Sequence, residues 1–363
     1  MVTFLWQGNW RANIKRIRAS RLHFEKWQGE VEKMAASKFR YVLQQRSLQI
    51  ALLLWVLICV TALVLCHGSV PLPGLHAAAP AVQVIGSSIS IVLVLVLLGL
   101  VALLARHRPM PDLAQRAPER ATALRETIAL WIYGAVVILL GRWIGQHSFG
   151  GGIALHLNGS LVGASRVQSP AEVYTWATYN GFFLAFIPYL VFRLRGYSHE
   201  RLNLKSSNLK NDTLIIAVVL AISCAFDLST HGFLQLSLHQ QLVGGGLSFV
   251  LHLFGTDLPI MIFIYAILLP RYFRLVSPVT AFLLGAASYP AMHVFESWTR
   301  YDSIPHAVLS VIFVFLTFFP PGLVKSFLTV RTGNAWVHVW AFHAISPHVT
   351  VDTRLIVRDF RIR

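Results

Sequence analysis

Apolar stretches close to the thickness of a lipid bilayer constrain this chain more than any other feature. They cover 47–66, 82–105, 127–145, 173–192, 247–270, 276–295 and 304–324, and a shorter one, 213–228, runs past Asp227. A helix needs about 20 such residues to cross a hydrocarbon core roughly 30 Å thick. Lipid offers backbone groups no partners, so only helices and closed barrels span it. These eight runs predict an all-α, polytopic membrane helix bundle of eight spans. The stretch 334–346 is expected as a short ninth helix that enters the bundle and stops at Pro347. Composition agrees: only 13% of residues are charged, against about a quarter in soluble domains.

The cations set an orientation. The first 46 residues carry ten Lys/Arg, and 106–125 and 193–210 carry five each. The alternate loops are almost bare: 67–81 and 228–246 have none, and 146–172 has Arg166 alone. Positive charge collects on the cytoplasmic side, so the N-terminus and the basic loops are expected there, with a bacterial cytoplasmic membrane as the expected location. The net charge of +16 then reflects topology and anionic lipid. The bilayer is the implied partner, and no nucleic acid is implied. The last ten residues hold four Arg, which argues against a complete ninth crossing.

Three regions follow: a basic amphipathic segment over 1–46, N-terminal transmembrane helices over 47–244, and a C-terminal core over 245–363. In the first, Trp10, Ile14, Ile17, Phe24, Trp27, Val31 and Met34 recur at helical spacing among Lys and Arg, the pattern of a helix lying on a membrane surface; a solvated helix packed on the cytoplasmic loops fits equally well. No apolar stretch follows soon enough to make this segment a signal peptide. Cys59, Cys66 and Cys224 show neither disulfide nor zinc spacing, and no phosphate-binding loop or nucleophile elbow is present.

Ionisable groups within spans are the remaining signal, because each costs roughly 2.5–3.5 kcal/mol to insert. They concentrate in the C-terminal third: His252, Asp257, His293, Glu296, His338, His343 and His348. At 1.5 Å per residue, Asp257 lies about 20 Å, His293 about 25 Å and His343 about 14 Å into their helices. A carboxylate and two imidazoles at shared depth suit metal binding or activation of a water. His293 and Glu296, three apart, share a helix face. The donor set suits a divalent metal such as zinc, with His293, His343 and His348 as ligands. The plainer alternative is interhelical hydrogen bonding, favoured for His252 and for His338, whose alternation with Trp336 and Trp340 suggests interface anchoring.

Order and spacing over about 245–350 resemble the CPBP (Abi, or CAAX-protease-like) intramembrane proteases. "LLPRYFRL" is similar to the exit of that family's paired-glutamate helix, Tyr289 to His293 to its FxxxH motif with an aromatic exchange, and "RTGNAWVHVWAFH" to the approach to its last histidine. Departures are equally specific: Ile260 and Met261 stand where the glutamates belong, Tyr265 where the arginine does, and Pro347 replaces the final asparagine. Asp257 precedes the glutamate position by one turn, on nearly the same face. The resemblance implies a membrane-embedded hydrolase acting on peptide or protein substrates in the bilayer. Asp257 or Glu296 would be general base, with His293 and His343 as ligands or oxyanion stabilisers. The alternative is a catalytically inactive member that binds or scaffolds a membrane partner. A third reading, haem or metal bound by His293, His343 and His348 in a carrier, lacks a paired-histidine repeat to support it.

Overall fold

The computed structural model describes residues 43–66, 68–73, 79–149, 155–157, 167, 169–230 and 232–363. The chain divides into Met1–Leu53 and Leu54–Arg363. The amphipathic segment expected over 1–46 lies almost wholly outside the described residues, and the contacts below belong to the second unit.

Among the described residues the secondary structure is entirely helical. Seven helices are long and apolar enough to cross a membrane: α1 (Arg46–Leu65), α2 (Pro80–Leu104), α3 (Arg120–Ser148), α4 (Pro170–Leu194), α5 (Leu209–Leu228), α6 (Gln240–Leu275) and, after a shorter helix, α8 (Ile304–Thr332). This is an integral membrane fold with seven such helices among the described residues, one fewer than the apolar runs predict. The difference lies in 276–295, which forms only α7, Pro278–Met292, 15 residues or about 22 Å. Ser277 caps its start by accepting from Thr280 N, and the chain leaves the helix at His293. Beyond α8 come α9 (Trp336–His338 running on into Val339–His343), α10 (Ser346–Thr350) and α11 (Thr353–Asp359).

Burial ranks the helices. In α6, 83% of the apolar window is buried, and in α8 61%, against 6% in α1 and α2. The central helix is thus α6, while α1 and α2 leave most of their apolar side chains exposed. α7 packs tightly on α8 through small residues, the usual way membrane helices approach: a Cβ on Gly322 would stand 2.4 Å from Ala286 O, and Ser326 Oγ donates to Phe282 O at 2.9 Å.

Several helices contain a widened turn with i→i+5 bonding: Gly181–Phe186 in α4, Leu253–Asp257 and Met261–Leu268 in α6, and Val339–His343 in α9. Each precedes a proline, namely Pro188, Pro259, Pro270 and Pro347. A proline has no N–H and its ring collides with the carbonyl four residues back. The helix widens to clear the ring, leaving a carbonyl that must find another donor at membrane depth. Two such donors are present: Tyr133 Oη donates to Phe183 O at 2.6 Å, and Asn203 Nδ2 to Tyr265 O at 2.8 Å. Each of these carbonyls lies five residues before its proline. Another widened turn, Gln240–Gly244, has no proline behind it, and nothing in the structure explains it.

The basic loops are fastened to one end of the bundle. Arg116 Nη1 donates to Asn203 Oδ1 and Gly333 O, each at 2.6 Å. Arg108 pairs with buried Asp212, which also accepts from Asn334 Nδ2 at 2.9 Å. Arg271, at the exit of α6, meets Glu126 of α3 through Nη2 at 2.7 Å and Nε at 2.8 Å. Burial pushes the Tyr197 phenol above its ordinary value, so it keeps its proton and donates to Glu126 at 3.0 Å.

Candidate functional site

Asp257 closes the widened turn before Pro259, and His343 closes the one before Pro347. His252 sits one turn before Asp257 on α6. His348 lies on α10, and Asp352 immediately precedes α11. All five are at most 1% exposed. The approach of α4 to α6 depends on Gly255, where a Cβ would stand 2.3 Å from the Trp176 ring. That ring also meets His252 edge-on at 5.6 Å.

Two donor triads share His348. In one, candidate ligand atoms of Asp257, His343 and His348 lie within 4.8 Å of one another; in the other, those of His252, His348 and Asp352 do. Asp257 Oδ1 is 3.1 Å from His343 Nδ1 and 3.7 Å from His348 Nε2. Neither Asp257 oxygen, nor either of those nitrogens, makes a hydrogen bond. The atoms converge without the alignment a hydrogen bond requires. A buried carboxylate without hydrogen bonds costs several kcal/mol; a cation among these atoms would answer it.

The tautomers follow from the partners. His348 Nδ1 donates to Asp352 Oδ2 at 3.1 Å, which leaves the Nε2 lone pair facing Asp257. A carboxylate that orients a histidine in this way is the usual support of a metal-binding imidazole. His252 Nδ1 donates to Ser248 O at 2.8 Å, so its Nε2, 3.0 Å from Asp352 Oδ2, carries either a lone pair or a second proton. The His252 and His348 rings stack at 4.4 Å. Ser248 Oγ ties α6 to α10 by donating to His348 O at 2.7 Å.

The remaining sequence candidates divide. His293 is fully buried but stands outside both triads. Its Nδ1 donates to Tyr289 O at 2.8 Å, its ring stacks on Phe318 at 4.5 Å, and its Nε2 has no hydrogen-bond partner. It borders the centre through Tyr289, whose Oη is 3.4 Å from His343 Nε2. Glu296 lies in the non-helical stretch beyond α7, also outside the triads. The i, i+3 face expected for His293 and Glu296 does not form, because the helix ends at Met292. His338 is fully buried, its ring 4.5 Å from that of Tyr265. Lys325 of α8 is 1% exposed, with Nζ 3.4 Å from the Tyr289 ring centroid.

His252 and Asp352 enter the centre with less warning. Asp352 follows His348 by four residues, a spacing that sets two side chains on one helix face, and that was the available signal. His252, expected only as an interhelical hydrogen-bonding group, is brought to α10 and α11 by contacts about a hundred residues distant in sequence. Compared with protein-family models, curated proteins and solved structures, the chain matches none.

Proposed function

We propose that this chain is a membrane-embedded, metal-dependent hydrolase acting on peptide or protein substrates within the bilayer. The observation that carries the proposal is the triad Asp257, His343 and His348, whose facing atoms are buried and lack hydrogen bonds. Asp257, His343 and His348 would hold the cation with three protein ligands, the number that catalytic zinc sites use. A divalent cation bound there supplies a Lewis acid and a bound water of lowered pKa. Asp352 holds the proton on His348 Nδ1 and keeps Nε2 free to bind. The Tyr289 hydroxyl, 3.4 Å from His343 Nε2, is a neutral donor beside the centre. Asp257, expected as a general base, would serve in this reading as a ligand, and Glu296 lies outside the centre. The substrate class rests on the motif resemblance to the CPBP proteases.

The test is cleavage of membrane-spanning peptides by the full chain in proteoliposomes supplied with zinc. Asp257→Asn and His343→Ala are each expected to lower the rate by on the order of 100-fold or more. Undiminished cleavage by both variants overturns the assignment. One observation favours a second reading, a non-catalytic protein held together by the cation: all donors are at most 1% exposed, as in closed structural metal sites. Metal retained by a wild-type protein that cleaves nothing selects it.

The proposed topology places the N-terminus and the loops 106–125 and 193–210 in the cytoplasm of a bacterial cell. The fastening of those loops to each other through Arg116 and Asn203 supports a shared side. A tag at residue 1 is expected to be inaccessible in intact cells, and one inserted within 158–166 accessible. The reverse pattern sinks this topology.

A further inference from the structure

Away from the acid–histidine centre, a groove of about 550 Å³ runs between α3 and α4. Its lining places Arg125 and Arg195 at one end, with Ala129, Tyr133, Ile187 and Val191 below them. Arg125 lies five residues inside the start of α3, and Arg195 immediately follows the end of α4. Both therefore sit at one membrane boundary, that of the basic loops. From Thr122 to Tyr133 the groove descends about 16 Å along α3, and from Arg195 to Ile187 about 12 Å along α4. That depth covers a headgroup and the upper part of an acyl chain.

Charge distinguishes this groove from an ordinary lipid-facing crevice. Among its described lining residues the only acid is Glu126, already held by Arg271 and the Tyr197 hydroxyl. Arg195 reaches Glu126 at 2.8 Å yet remains 49% exposed. Arg125 is exposed, and its one hydrogen bond among the described residues runs from Nη2 to Thr122 Oγ1 at 3.4 Å. Glu126 is thus shared by Arg271 and Arg195, while Arg125 has no carboxylate partner among the described residues. Arg125 and Arg195 keep donors free at the depth where lipid phosphates lie, and guanidinium groups bind phosphate oxygens in pairs. Val191, 45% exposed, opens the wall to the surrounding chains.

We infer that the groove between α3 and α4 binds an anionic phospholipid, its phosphate between Arg125 and Arg195 and one acyl chain along Tyr133, Ile187 and Val191. Basic pockets between membrane helices hold such headgroups elsewhere. The inference is independent of the hydrolase reading, because none of its residues belongs to the acid–histidine centre.

The test is native mass spectrometry of the full chain in a neutral detergent, with phosphatidylglycerol or phosphatidylcholine added. Wild-type protein is expected to retain phosphatidylglycerol preferentially, and inorganic phosphate at matched concentration is expected not to displace it. Each of Arg125→Gln and Arg195→Gln is expected to weaken retention about five-fold, the equivalent of about 1 kcal/mol per cation near the surface. Glu126 keeps Arg271 in both variants. Val191→Trp, which fills the groove and leaves both arginines in place, is expected to abolish retention and remains readable if an arginine variant fails to fold. Equal retention of the two lipids, displacement by phosphate, or unchanged retention in Val191→Trp overturns the inference.

Discussion

Replacing His348 with alanine is expected to lower the zinc content of the purified protein by on the order of 100-fold or more in elemental analysis. His348 is the one side chain common to both donor triads. Its Nε2 faces Asp257 while its Nδ1 is held by Asp352. Removing it takes a ligand from the first triad and the orienting link from the second. Asp352→Asn keeps the ligands but weakens the orientation, and a loss of about 10–100-fold is expected, as for other outer partners of metal-bound histidines. His293→Ala is the control. Its Nδ1 is bonded to the Tyr289 carbonyl and it lies outside both triads, so the zinc content should stay near that of the wild type. Full metal content in His348→Ala, or a strong loss in His293→Ala with His348→Ala unaffected, contradicts the assigned centre.

Deleting residues 347–363 is expected to abolish both metal binding and function, and to lower the thermal midpoint well beyond any effect of His348→Ala. Two losses combine. The deletion removes His348 and Asp352, leaving His252, Asp257 and His343 buried with fewer partners. It also removes Leu355, Ile356 and Val357, which are at most 8% exposed. Their segment covers α6 where it is thinnest: a Cβ on Gly244 would meet Val357 at 2.6 Å, and one on Gly245 would meet Val349 at 3.4 Å. Loss of one large buried apolar side chain costs about 2–5 kcal/mol, and here several go together. Comparing the deletion with His348→Ala in one melting series separates loss of the cation from loss of the cover. If the truncated chain folds, keeps its metal and cleaves or binds normally, the segment is only a tail.

Local features carried a large part of this protein. Apolar runs announced the membrane helices because lipid leaves the backbone no other way to span. Pro347 announced that the last apolar stretch would not continue as one helix, and the widened turn before it carries His343. Pro259 follows the widened turn that carries Asp257 in the same way. These are covalent and steric effects within a few residues, so a sequence displays them. The run over 276–295 marked an apolar helix but not its boundary, since an apolar stretch does not state where its helix stops. The chain leaves α7 at His293, and Glu296 is carried out of the helical face that its spacing promised.

Membership of the acid–histidine centre was decided by tertiary structure. His252 meets Asp352 and stacks on His348 because Ser248 fixes α6 against α10, contacts that span about a hundred residues. His293, at an apparently equal depth, instead turns Nδ1 to the carbonyl of Tyr289 and its ring to Phe318. Depth counted along separate helices places residues at a level in the bilayer, but not around the helix axis. The widened turns add a residue to the turn, so the faces beyond them rotate away from the ideal 3.6-residue period. Local pattern was enough to reveal apolar helices of membrane-spanning length, the prolines that loosen them and the ionisable groups within them. Only the packing of α6 against α9, α10 and the approach to α11 decided which of those groups meet, because side-chain direction depends on helix phase and on contacts distant in the chain.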